Sequence, residues 1–495
     1  MMDYIEKLKT YTSKQTINLI MKALANSSDK NLIRLTYAAE RIAPKFKPEI
    51  GKVRKMFEDR SPAYLLAKKL LTEIHPNVRD KMVMNFMIKY MLMGPKTRED
   101  FQKKEGIPSP ATIVISPTMR CNLRCIGCYA GDYSKKDDLP IEYVDKVITE
   151  GKEIGTYFYV ISGGEAFIRD DMLDIYKKHN DAAFMIYTNG TFIDRDMAFK
   201  LQELGNVAPA MSVEGFEKET DARRGKGVWK KVMQAMDNCR EAKLLYGFSI
   251  TPTKYNTEMV YSDELMKILA EDKGCSFGWY FTYIPIGRNP DVTLMQTPEQ
   301  RLYGWRRVNY LRNKYPVFIG DFWNDGMHVN GCIAGGRQYL HVNVKGDYEP
   351  CVFQHEATHN VRNTSLKEAL GSPLFRKIRE EQKRPIFVNN RMRPCMIIDH
   401  PEILREVVKE TGAYPTHGNA QTVLTKCAAH LDQYSKEYGE LSQPFWEKVY
   451  VKKEGMPPVP EKFEDVQKMI TDIKDKKRQR GIRRFPSVFF CPLFF

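Results

Sequence analysis

The sequence predicts an α/β fold: a parallel sheet or partial (β/α)6, TIM-like barrel, with an N-terminal helical domain and a C-terminal region that contains cysteines. Three observations carry this. Between residue 111 and about 285, short runs rich in β-branched and aromatic residues alternate with longer amphipathic runs, giving about six β/α units. Before residue 104 the apolar spacing is helical. Beyond 320 the chain is irregular and turn-rich before helices return. The predicted boundaries are therefore 1–104, 105–320, 321–412 and 413–495.

In the first segment, "SPAYLLAKKLLTEI" begins with Ser61 as N-cap and Pro62 in the first helical position. Ala63, Leu66, Ala67, Leu70, Leu71 and Ile74 fall on one helix face. "KMVMNFMIKYMLMGP" is apolar nearly all round and carries five methionines, with Gly94-Pro95 as the expected stop. It is too short to span a bilayer. It reads as a buried core helix, with a flexible lining for a greasy substrate as the alternative, because methionine adapts to irregular apolar shapes.

The central segment reads as strands at "ATIVIS", "TYFYVIS", "AAFMIYT", "VAPAMSV", "GFSIT" and "FGWYFTYIP". Helices are expected at "PIEYVDKVITEGKEIG", "DMLDIYKKHN" and near 194–204, 228–243 and 259–271. Later, "YLHVNVKGDYEPCVF" reads as a hairpin turning at Gly346-Asp347. Helices are then expected at about 400–411, 419–438 and 460–480.

The formal net charge of +15 is uneven. Residues 1–100 hold 20 basic and 11 acidic side chains, and 474–495 hold seven and one, so the middle nets zero. Basic ends attract the phosphates of nucleic acid or anionic lipid, or simply keep a solvated face. The tail "FPSVFFCPLFF" after the basic run favours peripheral contact with an anionic membrane over nucleic acid. The opening residues lack the pattern of a signal peptide, and no apolar run is long enough to cross a bilayer. Ten cysteines without a secretory signal indicate reduced thiols and a cytoplasmic protein, with the inner membrane surface as a peripheral location.

Three of those cysteines, Cys121, Cys125 and Cys128, crowd the loop "CNLRCIGCYAG" directly after the first strand. In parallel β/α folds ligands collect at the C-terminal ends of strands. Thiolates bind zinc or iron–sulfur clusters. Three uneven cysteines suit a cubane with one open iron better than a four-ligand zinc site. "SGGEAF", "YTNGT", "SVEGFEKETDARRGKG" and "YIPIGR" follow later strands in order.

Together these residues resemble the radical S-adenosylmethionine (radical SAM) enzymes, whose signature C-x3-C-x2-C loop follows the first strand of a partial (β/α)6 barrel. The resemblance implies a [4Fe–4S] cluster on Cys121, Cys125 and Cys128 and S-adenosylmethionine on its open iron. It also implies an electron donor such as ferredoxin or flavodoxin. Reductive cleavage would give methionine and a 5′-deoxyadenosyl radical, which takes a hydrogen atom from substrate. Gly163, Gly164 and Glu165 would meet the cofactor's amino group, Ser212 and Glu214 the ribose, and Arg224 the methionine carboxylate. Asn189 in "YTNGT" is a further cofactor-binding candidate. Gly127 stands where an aromatic residue is common, leaving Tyr129 or backbone to hold the adenine. Ala166 stands where proline is common.

Cys332, Gly346 and Cys351 form C-x13-G-x4-C, which resembles the start of the auxiliary-cluster extensions called SPASM and twitch. Cys395 is the expected third ligand of a second iron–sulfur cluster, with Cys427 as a fourth or simply packed. A structural zinc is the alternative. Cys239 and Cys275 read as core residues. Asp321, Trp323, Asn324, Asp325 and His328 either reach a substrate or cap turns, with turns favoured for the two aspartates. The resemblance leaves the substrate open. A peptide or protein is the first candidate and a membrane-associated lipid the second. A non-catalytic electron carrier or zinc-binding interaction protein is a remote third.

Overall fold

A computed structural model describes residues 28–42, 44, 47–130 and 137–474. The basic-aromatic tail beyond Lys474 and the first 27 residues lie outside the described residues.

The six expected strands form: β1 Thr112–Ile115, β2 Phe158–Ile161, β3 Ala183–Thr188, β4 Val207–Val213, β5 Gly247–Ile250 and β6 Phe277–Tyr280. β7, Phe318–Asp321, extends the same parallel order, and its last residue crosses the boundary expected at 320. The strands are buried on both faces, which is why they read as continuous apolar runs; all seven residues of β4 are buried. Helices Ile141–Glu153, Asp171–Lys178, Arg195–Leu204 and Val228–Glu241 occupy the expected crossovers. Helix Pro298–Lys314 opens with a Thr297–Gln300 capping box and joins β6 to β7.

The expected hairpin forms as β8, Tyr339–Val342, and β9, Tyr348–Glu349, with Gly346 at φ +88° in its turn. Its placement was not expected. β8 pairs parallel with β1, Thr112 opposite Tyr339, so the full order is β7-β6-β5-β4-β3-β2-β1-β8-β9.

Two details of the N-terminal helices differ from the sequence reading. Ser61 accepts the Tyr64 N–H at 3.3 Å, as a cap should, but Tyr64 and not the expected apolar stripe is the buried residue of Pro62–Thr72. Gly94-Pro95 does not stop the chain. Helix Pro76–Met82 passes into wide π-helical turns at Val83–Met93 and then into helix Gly94–Glu105. Gly94 is needed for close approach, since a Cβ there would lie 2.8 Å from the Gly155 carbonyl. Gly106, at φ +69°, is the true stop. Helices Pro401–Thr411, Ala428–Phe445 and Val466–Lys474 complete the described chain.

Candidate functional site

One cavity runs the length of the barrel. At one end are Cys121, Cys125 and Cys128, on the loop after β1. At the other are Tyr90, Ala111 and Thr112, at the N-terminal end of β1. Its walls are mostly apolar and aromatic: Tyr187, Trp279, Phe281, Phe322 and Phe353 face it.

The cysteine loop is locked to the turn after β2. Gly164 N–H donates to the Thr118 carbonyl and Glu165 N–H to that of Arg120, both at 2.8 Å. A Cβ on Gly164 would lie 2.2 Å from the Arg120 carbonyl oxygen, and one on Gly163 2.3 Å from that of Thr118. The two glycines therefore let two backbones touch, and both also line the cavity.

Glu165 is held by β3 and the turn it opens. Its enclosed carboxylate accepts Thr188 Oγ1–H at 2.7 Å, Asn189 N–H at 2.7 Å and Phe167 N–H at 3.2 Å, and it does not line the cavity. Burial pushes its pKa up while those donors pull it down. It ties β2 to β3. Asn189 does reach the site. Its side-chain N–H donates to Asn122 Oδ1 at 2.8 Å and lies 3.8 Å from Cys121 Sγ.

Glu214 is held in a similar way. It is fully buried and outside the cavity lining. One oxygen receives Arg224 Nε–H at 2.8 Å and pairs with Arg223 at 2.6 Å, and the other accepts Thr251 N–H at 3.2 Å. One oxygen thus positions both arginines, and the other ties the strand end to β5's exit. Burial opposes the Arg224 charge, and Glu214 more than offsets that, holding the guanidinium above its ordinary range. Arg223 and Arg224 both line the cavity beside the cysteines. Arg223 also clamps the loop through the Ile126 carbonyl at 3.1 Å. The doublet "ARRG" carried that signal, though only Arg224 was singled out. Ser212 lines the cavity and bonds Ser249 at 3.1 Å.

The missing aromatic at Gly127 is explained. Gly127 sits at φ +64°, and a Cβ there would meet the Tyr283 ring at 2.5 Å. Tyr283, from "YIPIGR", thus occupies that space. Tyr129 turns inward. Its hydroxyl accepts Gly163 N–H at 3.2 Å, its ring meets Phe353 edge-on at 5.6 Å, and burial raises its pKa to about 12.

The second cysteine group lies beyond the N-terminal end of β8. Tyr339 Oη–H donates to Cys351 Sγ at 2.7 Å. Cys332 and Cys351 each raise the pKa of Cys395, after burial and Asp399, so the three form one neighbourhood. Burial lifts Cys351 to about 12. Cys427 instead feels Asp291 and Lys426. Cys239 and Cys275 are core residues at 0% exposure. Asp321 and Asp325 do cap turns: Asp321 accepts Asn324 N–H at 3.1 Å, and Asp325 accepts Asp321 N–H at 2.7 Å.

The donor chemistry fits iron–sulfur ligation. Cys121, Cys351 and Cys395 each receive the N–H two residues on, at 3.3–3.4 Å, from Leu123, Phe353 and Ile397. Ala130 and Ala334 do the same for Cys128 and Cys332. Such N–H groups stabilise a thiolate and tune a cluster. Among the described residues no three His, Cys, Asp or Glu side chains converge as ligands of a single metal ion.

Comparison with known proteins agrees with this geometry. A family model described as the radical SAM superfamily matches residues 115–260. One described as SPASM, an iron–sulfur cluster-binding domain, matches 332–396. The chain is 32% identical over 166 residues to the Fe-coproporphyrin III synthase of Methanosarcina barkeri, covering 32% of this chain and 41% of that protein. It is 24% identical over 307 residues to the AdoMet-dependent heme synthase of the same organism, covering 56% and 86%. It is 30% identical over 176 residues to the pre-heme d1 synthase of Dinoroseobacter shibae, covering 34% and 42%. The fold is that of Streptococcus suis SuiB, solved bound to S-adenosylmethionine, with a TM-score of 0.50 and 17% identity over 69% of this chain and 80% of that one. With its cysteine loop and glycine turn in the first matched segment and its second cysteine group in the other, the chain carries a radical SAM domain and a SPASM domain, a combination that implies a [4Fe–4S] cluster, S-adenosylmethionine and additional iron–sulfur clusters.

Proposed function

We propose that this chain abstracts hydrogen from a hydrocarbon portion of its substrate, held inside the barrel between the two cysteine groups. One observation carries the reading: the cysteine loop and the apolar, aromatic walls belong to the same cavity. Cys121, Cys125 and Cys128 would hold the SAM-binding cluster, and Cys332, Cys351 and Cys395 the second. When bound and reduced by one electron from a donor protein, the first cluster with S-adenosylmethionine supplies a 5′-deoxyadenosyl radical.

The chain's own residues do the rest. Arg223 and Arg224, held by Glu214, present positive charge where a carboxylate must be oriented. Gly163 and Gly164 bring backbone close to the ligand. Tyr187, Trp279, Phe281 and Phe353 exclude water and give an apolar substrate a matching surface. Of the two substrate classes read from the sequence, peptide and lipid, apolar walls favour the lipid chain.

The test is anaerobic turnover with a perdeuterated acyl lipid. Deuterium in the 5′-deoxyadenosine product supports the reading. Deuterium arriving only from a labelled peptide would overturn it in favour of peptide modification. A second reading, a tetrapyrrole substrate, is supported by the names of the three relatives above. Iron-coproporphyrin in the same assay separates it.

A further inference from the structure

The helix Val83–Met93 is exposed in an unusual way. Its sequence, VMNFMIKYMLM, holds a single charged residue, and such a helix is normally enclosed. Yet only Asn85 and Tyr90 are buried, while Met87, Leu92 and Met93 are 42%, 45% and 37% exposed. This departs from the core helix expected from the sequence. The polar residue is the one that points inward. Asn85 donates to the Asn180 and Ala182 carbonyls at 2.9 and 3.0 Å, fixing which side faces the barrel.

The helix is also continuous with the catalytic cavity. Tyr90 and Phe158 both line it. Phe86 meets Phe158 edge-on at 5.0 Å, and Tyr90 lies 5.4 Å from the same ring. Phe86, Tyr90 and Phe158 thus form one aromatic cluster that joins this helix to the cavity wall. The wide π-helical turns fall on this segment, and such turns recur at functional sites. Of the fourteen exposed large hydrophobics among the described residues, seven lie between Leu35 and Met93. Residues 28–100 carry 16 basic and nine acidic side chains, a net of +7. Exposed apolar area within a basic segment matches an anionic bilayer: acyl chains for the methionines, headgroups for the lysines and arginines.

We propose that the Met87–Leu92–Met93 face docks on an anionic lipid surface and that acyl chains reach the cavity past Phe86, Tyr90 and Phe158. This rests on the hydrocarbon reading above.

The experiment sediments the full chain with vesicles of phosphatidylglycerol and phosphatidylcholine. Wild-type protein is expected to bind at low salt and to release as salt rises. A Met87→Glu, Leu92→Glu, Met93→Glu variant, with its fold checked by circular dichroism, is expected to bind at least tenfold more weakly. Met87→Trp should be quenched by brominated acyl chains on binding. Absence of wild-type binding, unchanged binding by the triple variant, or an unquenched Trp would overturn the proposal. So would a lipid-free dimer that the triple variant dissociates, since a second copy would then own the face. The two readings fail separately. Vesicle binding without deuterium transfer sinks the substrate reading and the acyl-chain route with it, and leaves the docking. Deuterium transfer from detergent-dissolved lipid without vesicle binding sinks the docking alone.

Discussion

Replacing Asp399 with asparagine tests how the second cysteine group is held. Asp399 and Arg301 are both fully enclosed and paired at 2.6 and 3.2 Å through two guanidinium nitrogens. Asp399 also accepts Cys395 N–H at 3.0 Å, so it fixes the turn that carries that thiol. Arg301 donates further to Asn324 Oδ1 at 3.0 Å and lies 3.9 Å over the Tyr438 ring. Asparagine keeps the shape and removes the counter-charge. Breaking a buried pair from one side costs about 3–5 kcal/mol, because an uncompensated charge stays enclosed. With a urea m-value of roughly 3 kcal/mol/M for a large chain, the unfolding midpoint should fall by roughly 1–1.7 M. An Arg301→Met, Asp399→Leu variant, apolar on both sides, should recover most of that loss. Urea titration followed by tryptophan fluorescence reads both, at matched iron content. A drop below roughly 0.3 M for Asp399→Asn would place the pair in the class of exposed bridges worth under about 1 kcal/mol and refute the reasoning. A double variant no better than the single would also refute it.

Three further outcomes are expected. Gly164→Ala drives a Cβ to 2.2 Å from the Arg120 carbonyl, so iron at the first cysteine group should be lost while the far-UV spectrum persists; normal iron loading would contradict the packing argument. Cys121→Ala, Cys125→Ala, Cys128→Ala should abolish 5′-deoxyadenosine while retaining iron bound by Cys332, Cys351 and Cys395, and iron near zero would remove the second site. Burial, then the Glu349 charge, raises enclosed Glu356 to about 8. Between the unfolded carboxyl value of about 4.3 and that pH the folded state holds a proton the unfolded state has released, so stability should fall by about 1.4 kcal/mol per unit and level off above pH 8. Glu356→Gln should flatten that part of the thermal-midpoint profile, and an unchanged slope would refute the assignment.

What the sequence revealed was local in origin. The six central strands and most of the helices between them were readable because each carries its own apolar run, as "VAPAMSV" shows. The cysteine loop was readable because its spacing is contiguous. What escaped depends on contacts between distant segments. Nothing in "YLHV" says that it will pair with β1 across more than 200 residues. Glu165 and Glu214 have the charge to bind a ligand, and only the fold shows that Thr188, Asn189, Arg223 and Arg224 also bond them. The aromatic absent at Gly127 came from Tyr283, far along the chain. Gly94-Pro95 misled because glycine also serves close packing, and proline is tolerated in a helix's first turn.

The pairing of β8 with β1 has a consequence for how this chain can be cut. A fragment ending at residue 320 contains the whole cysteine loop and would pass, on motif grounds, for a self-sufficient catalytic unit. It would leave β1 without one of its two neighbours, with the N–H and C=O groups that now meet Tyr339–Val342 turned to solvent along one side of the strand that carries the loop. Such a raw margin invites pairing with another chain. The downstream segment is thus a clasp on the barrel, and grafting it between relatives would require exchanging β1 along with it.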